Sequence, residues 1–380
     1  MVADLTHDGA RFAAPHCPRL IVKVGSSLLV DPAGAIRAEW LATLVADIAA
    51  QHKAGQQIAI VSSGAIALGA RRLKLPKGGR ASLEDAQAAA ATGQIALSQI
   101  WADLLAAHGI VAAQMLLTLD DLEDRRRYLN ASATLDRLLT LGVIPIINEN
   151  DSVATAEIRF GDNDRLGARV GQAAGAQGVI LLSDVDGLYT ANPMDDPSAT
   201  LIPRVEKLDP AILAMADGRT ASGMGSGGMI SKLEAARIAN SAGAALVIAS
   251  GKRPHPLAHY LETAHGTIFL PERGSRARKA WLAGRMRVTG RVHIDAGAAD
   301  ALAQGKSLLA AGTTAIEGAF ERGDVIDIVG PEGQRVARGL AEYDNGDAAR
   351  IIGRRKDDLA AILGYAPRTA FIHRDHLVLL

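Results

Sequence analysis

A lysine inside an apolar run is the first chemically unusual feature of the chain. Lys23 lies in "LIVKVGSS", residues 20–27, which otherwise has the apolar, β-branched composition of a buried strand. Burying an unpaired ammonium group is costly, so the strand must give Lys23 a partner or place it at an edge. Two interpretations stand here: a lysine that binds phosphate beside Gly25, or an edge-strand lysine that discourages aggregation. The Walker-type loop GxxxxGK[ST] is absent from the sequence.

A pair of serines ends the next apolar run. In "VSSGAIALGARR", residues 61–72, Ser62 and Ser63 close a predicted strand, and Gly64 opens a predicted helix. Serine hydroxyls and the amides of a helix N-terminus can hold an anion such as a carboxylate. An ordinary helix N-cap is the commoner explanation for such serines, so this segment alone is a weak indication of a site.

Acidic and amide side chains are concentrated in "IINENDSVATAEIRFGDNDRLGARV", residues 146–170. Asp151 follows a predicted buried strand, and Asp162, Asn163 and Asp164 precede a predicted helix. A solvated acidic turn is the simpler alternative, but a turn does not need so many carboxylates and amides after an apolar strand. The DxDxDG spacing of a calcium loop, with a glutamate at its twelfth position, is missing. The pattern favours a site that grips an amino group and orients a lysine.

Two further segments indicate nucleotide binding. "LLSDVDGLYTANP" (181–193) ends an apolar run with Ser183 and Asp184, and "SGMGSGGMISKLEAA" (222–236) leads through a glycine loop into a helix with Lys232 near its start. A glycine loop that presents backbone amides and ends in a lysine suits phosphate groups. A flexible surface linker would explain the loop alone, but in combination with Lys23 the loop favours a nucleotide site.

These residues together could carry phosphoryl transfer. Lys23 and Lys232 would stabilise the charge that builds up on the phosphoryl oxygens, with Asp164 between them to hold their ammonium groups. A carboxylate acceptor is already ionised at neutral pH, so the reaction requires neither a covalent nucleophile nor a strong general base. On this hypothesis Lys23 points at the phosphoryl group in transfer.

The elements that must position these residues are those of an α/β fold. Short apolar runs alternate with helical patterns: "LIVKV", "QIAIVSS", "GIVAAQMLL", "GVIPIINEN", "GVILLSD" and "AALVIAS". Runs that are apolar on both faces, with room for a helix between them, predict a mainly parallel sheet in an α/β sandwich. Helices are predicted at about 37–53, 83–107, 131–141, 163–174 and 228–242. The polar clusters follow the strands, where ligands of parallel sheets bind.

The composition changes after residue 270, where charged residues and then short strands with glycine-rich turns replace the alternating pattern. The second part reads as a small β-barrel-like module with one short helix near 346–353. The predicted division is a flexible leader at 1–19, an α/β domain at 20–270, a linker at 271–288, a β module at 289–367 and a terminal strand segment at 368–380.

Charge and cysteine content exclude several function classes. Lys plus Arg and Asp plus Glu both number 41, and this zero net charge argues against a generic nucleic-acid binder. Cys17 is the sole cysteine, so neither an internal disulfide nor a cysteine-based metal cluster can form. No stretch has the apolar length of a membrane span. We therefore expect a cytoplasmic protein.

Taken together, the motifs resemble the amino acid kinase family. They are "VKVGSSLL", "VSSGAIALG", "QMLLT", "EDRRRYLNA", "VIPIINENDSVATAEIRFGDNDRLGA", "LLSDVDGLYTANP", "SGMGSGGMISKLEAA" and "AILGYAP…FIHRDHLVL". The resemblance runs from about residue 20 to the C-terminus, and the terminal β module resembles a PUA domain. It implies ATP-dependent phosphorylation of the side-chain carboxylate of L-glutamate to L-glutamyl 5-phosphate, the first step of proline biosynthesis.

The resemblance also implies a role for each matching residue. Lys23, Lys232 and Asp164 would be catalytic. Glutamate would be held by Ser63, Asp151 and Asn163, with Asp162 nearby. ATP would be bound by Lys23, Ser183, Asp184, Ser226, Gly227, Gly228, Met229, Ile230, Ser231 and Lys232. Mg²⁺ would be carried on the ATP phosphates, with no protein side chain assigned to it.

Further implied properties concern partners. They are a homo-oligomer (dimer or tetramer), feedback inhibition by proline, and handover of the labile product to glutamyl phosphate reductase, without a membrane or nucleic-acid partner. Two alternatives stay open. Another acceptor (aspartate, acetylglutamate or UMP) would keep the fold, although those relatives lack the NEND…GDND pair together with a PUA-like tail.

A non-catalytic RNA-binding or sensing protein is the second alternative, because PUA domains occur in RNA-binding proteins. Residues 291–368 hold 10 Lys and Arg against 12 Asp and Glu, which is the wrong sign for a surface that faces RNA. A pure sensor would be expected to lack one of Lys23, Lys232 and Asp164, and all three are present.

Overall fold

The chain divides into two compact units in the computed structural model. The structure describes residues 7–31, 35–153, 162–216, 228–271, 288–368 and 370–380. One unit comprises Met1–Glu123 and Ala131–Arg273, and the other comprises Asp124–Asn130 and Gly274–Leu380. The predicted linker at 271–288 lies almost wholly outside the described residues, so its boundaries stay a prediction.

An eight-stranded sheet forms the centre of the first unit. Its strands are β1 (Arg19–Val24), β2 (Gln57–Ser62), β3 (Ala112–Leu117), β4 (Ile144–Glu149), β5 (Gly178–Ser183), β6 (Arg204–Val205), β7 (Ala245–Ser250) and β8 (Thr267–Phe269). They lie in the order β3-β4-β2-β1-β5-β7-β8-β6. Among the described strands the β7–β8 pair is antiparallel and the others are parallel, which confirms the predicted mainly parallel sheet.

The central strands are buried on both faces, as their unbroken apolar runs require. In β1, Leu20, Val22 and Val24 pack into one hydrophobic core with helices on that side of the sheet. Lys23 lies on the same strand, opposite Val61 of β2 and Leu181 of β5. A strand paired on both sides is not an edge, so the edge-strand interpretation of Lys23 is wrong.

Ten helices are described in the first part of the chain. They are α1 (Ser26–Leu29), α2 (Ala38–Lys53), α3 (Ala65–Leu73), α4 (Leu83–Ala106), α5 (Leu119–Glu123), α6 (Arg125–Thr140), α7 (Asp162–Ala174), α8 (Pro210–Ala214), α9 (Met229–Ser241) and α10 (Pro256–Thr263). None of the helices that the structure describes combines the length and apolar character needed to cross a membrane.

The predicted helices are confirmed, with one start misplaced. The helix expected from residue 131 begins at Arg125, because the charged segment before it is a helix start. The side chain of Asp124 accepts a hydrogen bond from the Arg127 amide at 2.9 Å, as an N-cap does.

Helices α3 and α4 cross at two glycines. A Cβ on Gly69 would lie 1.8 Å from the carbonyl oxygen of Ala89, and a Cβ on Gly93 would lie 1.8 Å from the carbonyl oxygen of Ala65. Neither position has room for a side chain, so the two backbones touch directly. This crossing fixes α4 against the start of α3, which begins two residues after Ser63.

Residues 7–19 differ from the predicted flexible leader. They include a 3-10 helix, Asp8–Phe12, and they bury Phe12 and Cys17 completely. The side-chain Nε2 of Gln56 donates to the backbone carbonyls of Phe12 and Cys17 at 2.7 and 2.6 Å. The segment packs here because Gly178 has no side chain, which leaves room for the Phe12 ring. Burial raises the pKa of the Cys17 thiol to about 12, although Gln56 opposes the shift.

The second unit contains a five-stranded sheet. Its strands are β9 (Gly290–Ile294), β10 (Thr313–Gly318), β11 (Val325–Val329), β12 (Arg335–Leu340) and β13 (Leu377–Leu379), in the order β10-β9-β11-β12-β13. The predicted terminal strand segment at 368–380 thus contributes β13 to the same sheet.

Three α-helices accompany this sheet in the part of the unit that the structure describes: α11 (Ala296–Ala303), α12 (Asn345–Ile351) and α13 (Lys356–Leu363). Of these helices, the sequence pattern predicts α12 alone. The missed α11 has an N-cap in its sequence, since the Asp295 side chain accepts from the Ala298 amide at 2.7 Å.

Candidate active site

Lys23 lies on the central strand with helix α7 directly above it. Its side chain is buried, with 7% of its surface exposed. A Cβ on Gly167 of α7 would lie 3.4 Å from the Cβ of Lys23, so the helix passes over the lysine at close range. This close passage of α7 over β1 brings Asp164, nearly one turn earlier in the helix, to the ammonium group.

Asp164 connects the two lysines that the sequence singled out. Its Oδ1 lies 2.5 Å from Nζ of Lys23, and its Oδ2 lies 2.9 Å from Nζ of Lys232. Asp164 is fully buried, and Lys232 is 5% exposed. Two positive groups share one negative group, so the three together carry a net positive charge. Such a cluster attracts an anion, and its buried setting strengthens that attraction.

The electrostatics of the cluster follow from burial and from these contacts. Burial lowers the pKa of Lys23, and the charge of Lys232 pushes in the same direction, while Asp164 opposes both. Burial by itself would raise the pKa of Asp164, but the two lysines outweigh it and hold that pKa below its ordinary value. Asp164 is therefore ionised at neutral pH and stays available to both ammonium groups.

A second group of side chains adjoins this cluster through α7. Asn163, next to Asp164 in the helix, donates from Nδ2 to Ser63 Oγ at 2.8 Å and to Asn148 Oδ1 at 3.2 Å. Asp151, in the turn after β4, is 8% exposed. Ser63, Asn163 and Asp164 are thus brought together as the sequence predicted. Asp162 is the first residue of α7, but its side chain is not among those that the structure describes, so its predicted place near glutamate stays a prediction.

The residues predicted to bind the nucleotide lie at the carboxyl end of β5 and at the start of α9. Ser183 ends β5, next to the central strand, and its hydroxyl donates to Asp184 Oδ1 at 3.0 Å. Gly228 is the N-cap of α9, and Met229, Ile230 and Ser231 precede Lys232 in that helix. Ser226 and Gly227 lie outside the described residues, so their predicted contacts stay predictions.

Polar residues that the sequence motifs did not indicate lie behind these groups. Asn148, on β4, and Gln94, on α4, are 2% and 8% exposed. Asn148 Nδ2 donates to Gln94 Oε1 at 2.8 Å. Farther along the same helix, the indole of Trp101 donates to Ser62 Oγ at 2.9 Å. A signal for Gln94 was available, because it is a polar residue on the alanine- and leucine-rich face of α4.

Comparison with known proteins places this site in a wider group. The amino acid kinase family model matches residues 18–250, and the PUA domain model matches residues 290–363. A glutamate 5-kinase of Sphingopyxis alaskensis is 67% identical over 369 residues, which cover 97% of this chain and 99% of that protein. A glutamate 5-kinase of Zymomonas mobilis is 61% identical over the full length of both chains, and one of Novosphingobium aromaticivorans is 62% identical over 97% of each.

Proposed function

The chain belongs to the amino acid kinase family, and from that membership we propose that it transfers the γ-phosphoryl group of ATP to the side-chain carboxylate of L-glutamate. The product is L-glutamyl 5-phosphate, and the reaction is the first step of proline biosynthesis. Relatives that are similar over nearly the whole chain, including the PUA region, carry the name glutamate 5-kinase. This agreement supports glutamate over aspartate, acetylglutamate or UMP as the acceptor.

The observation that carries the proposal is the Lys23–Asp164–Lys232 cluster. An oxygen of the substrate carboxylate attacks the γ-phosphorus, and the bond from that phosphorus to the bridging oxygen of ADP breaks. Negative charge moves onto the bridging and equatorial oxygens as this happens. Two buried ammonium groups that one carboxylate holds in place stabilise that charge without reorganising. Asp164 acts as a positioning group and takes no proton.

Glutamate is bound by the side chains next to this cluster. Ser63 lies just before the start of α3, where its hydroxyl and the helix amides suit a carboxylate. Asp151 and the side-chain oxygen Oδ1 of Asn163 are suited to bind the ammonium group of glutamate. Because Asn163 and Asp164 are consecutive in α7, the substrate is held beside the residues that act on the phosphoryl group.

ATP is the co-substrate, with Ser183, Asp184 and the residues from Ser226 to Lys232 as its binding site. Mg²⁺ arrives on the ATP phosphates, where it neutralises part of their charge. Within the described ranges no group of three His, Cys, Asp or Glu side chains is placed to hold a metal ion.

The experiment that tests the function measures ATP turnover with Mg²⁺ and hydroxylamine, which traps an acyl phosphate as a hydroxamate. Glutamate, aspartate, acetylglutamate and UMP are compared as acceptors. Hydroxamate that forms with glutamate and with none of the others supports the proposal. Turnover with a different acceptor would keep the lysine cluster and reject the substrate assignment. No turnover with any acceptor would favour the sensing or RNA-binding alternative.

Several partner properties complete the proposal. A homo-oligomer, a dimer or a tetramer, is supported by exposed apolar side chains: Val111, directly before the edge strand β3, is 65% exposed, and Ile95 of α4 is 70% exposed. Light scattering coupled to size exclusion would test it. Feedback inhibition by proline, handover to glutamyl phosphate reductase and a cytoplasmic location are proposed from the family resemblance, and proline titration of the turnover assay tests the first.

A further inference from the structure

We propose that Gln94, on helix α4, is a positioning residue that sets the selectivity of the site for an acceptor with an ammonium group. It acts through a chain of side chains, Ser98, Gln94, Asn148 and Asn163, which we call the amide relay. This inference rests on the proposed function, because it concerns how glutamate is recognised.

The amide relay begins at a group whose role is unambiguous. A backbone carbonyl can only accept, and the carbonyl of Gln94 accepts from the Ser98 hydroxyl at 2.9 Å. That hydroxyl has used its single hydrogen, so it must accept from its other neighbour. The side chain of Gln94 lies 3.2 Å away and therefore presents its Nε2 to Ser98.

The orientation of each following amide then has one solution. With Nε2 turned toward Ser98, Gln94 presents Oε1 to Asn148, which donates its Nδ2 at 2.8 Å. Asn148 in turn presents its Oδ1 to Asn163, which donates Nδ2 at 3.2 Å. The same Nδ2 donates to Ser63 Oγ at 2.8 Å, so both of its hydrogens are used.

The end of the amide relay is an acceptor without a donor. Asn163 Oδ1 is buried and accepts no hydrogen bond from any part of the chain that the structure describes. A buried acceptor left unpaired is unfavourable, so the site gains from a ligand that brings a donor there. An ammonium group is such a donor, and a carboxylate is not.

If the amide of Asn163 were flipped, it would present Nδ2 to the ligand. It would then favour an acceptor and disfavour an ammonium group. The amide relay prevents this flip, since a flip of one amide places two donors or two acceptors face to face at the next contact. Gln94, with no proposed contact to glutamate, thus determines which atom of Asn163 glutamate meets.

The test compares glutamate with glutarate, which keeps both carboxylates and the chain length but lacks the ammonium group. Gln94→Met preserves size and removes both polar atoms. We expect it to lower kcat/KM for glutamate by roughly 10-fold, the effect of one hydrogen bond to a charged group, through KM. The kcat/KM for glutarate and the KM for ATP should change less than about twofold, so the preference for glutamate falls.

Two variants serve as controls. Gln94→Glu keeps an acceptor toward Asn148 and should restore most of the preference. Gln99→Met makes the same substitution on the exposed face of α4, where Gln99 contacts Asp103, and should behave as wild type. Should Gln94→Met fail to fold, Ser98→Ala removes the group that fixes the Gln94 amide and should lower the preference by a smaller factor.

The outcomes separate this inference from the proposed function. An unchanged ratio of glutamate to glutarate in folded Gln94→Met, with an active wild type, would overturn the amide relay and leave the kinase activity standing. Equal losses for both substrates would also overturn it, because they would indicate a general structural defect. A wild-type chain that forms no hydroxamate from glutamate would contradict the proposed function itself.

Discussion

At the scale of single residues, the charge balance around Asp164 separates its role from those of the lysines. Lys23 and Lys232 both contact its carboxylate, so removal of one lysine leaves a balanced pair. Removal of Asp164 would leave two buried ammonium groups facing each other. Removing one partner of a buried ion pair typically costs roughly 3–5 kcal/mol of folding stability. The two kinds of variant should therefore fail in different ways.

We expect Lys23→Ala and Lys232→Ala to fold and to lose turnover by on the order of 100-fold or more, because in the proposed mechanism each removes charge that stabilises the transition state. Asp164→Ala should instead be strongly destabilised. Urea unfolding and hydroxamate formation measure the two effects separately. Lys53→Ala, at an exposed position in the last turn of α2, is the matched control and should change neither. Turnover near the wild-type value in either active-site lysine variant would contradict this assignment.

At the scale of elements, α4 positions the site from behind. It packs on α3 at Gly69 and Gly93, and it carries Gln94 next to the second glycine and Trp101 two turns further on. One long helix thus supports both the Ser62–Ser63 turn and the side chains after β4. Its distance from α3 is fixed by two positions that have no room for a Cβ.

Gly93→Ala and Gly69→Ala should each destabilise the fold, on the order of 3 kcal/mol, because the added methyl would overlap a backbone carbonyl that cannot rotate away. Gly297→Ala is the matched control. A Cβ there would meet only Asp295 Oδ1 at an ordinary 3.5 Å, and alanine favours the helix. Thermal unfolding of the three variants measures the difference. Equal stabilities would show that α3 and α4 separate at little cost.

The packing of residues 7–19 can be tested through the sole cysteine. Burial raises the pKa of Cys17 to about 12, so at pH 9 only about a thousandth of the thiol is ionised. We expect iodoacetamide to modify Cys17 slowly in the native protein and rapidly in urea. The raised pKa also means that folding loses stability as the pH rises above the unfolded value of 9.0. Native labelling as fast as that of the unfolded chain would contradict the packed arrangement.

At the scale of the whole molecule, a kinase unit and a PUA unit share one chain, and RNA binding is the property to test. Acidic residues outnumber basic ones in residues 291–368, so this segment of the chain lacks the net positive charge that would attract a phosphate backbone. We expect no salt-sensitive, sub-micromolar shift of structured RNA by the full chain in a gel assay. Such a shift would return the RNA-binding alternative to consideration.

The sequence by itself determined the type and order of most elements. Apolar runs such as "LIVKV" and "GVILLSD" predicted parallel strands, because a strand buried on both faces must be apolar along its length. It also determined which polar residues follow those strands. Since parallel strands end at one edge of a sheet, Lys23, Ser63 and Ser183 were expected there together.

The tertiary structure alone decided which of these groups touch. Lys232 and Asp164 are 68 residues apart in the chain, and their contact depends on how closely α7 and α9 pack on the sheet. Gln94 joined the site because two glycines let α4 approach α3, and Phe12 packed because Gly178 leaves a space. Sequence patterns show which residues along one strand or helix are buried, whereas these contacts depend on how the surfaces of separate elements fit together after folding.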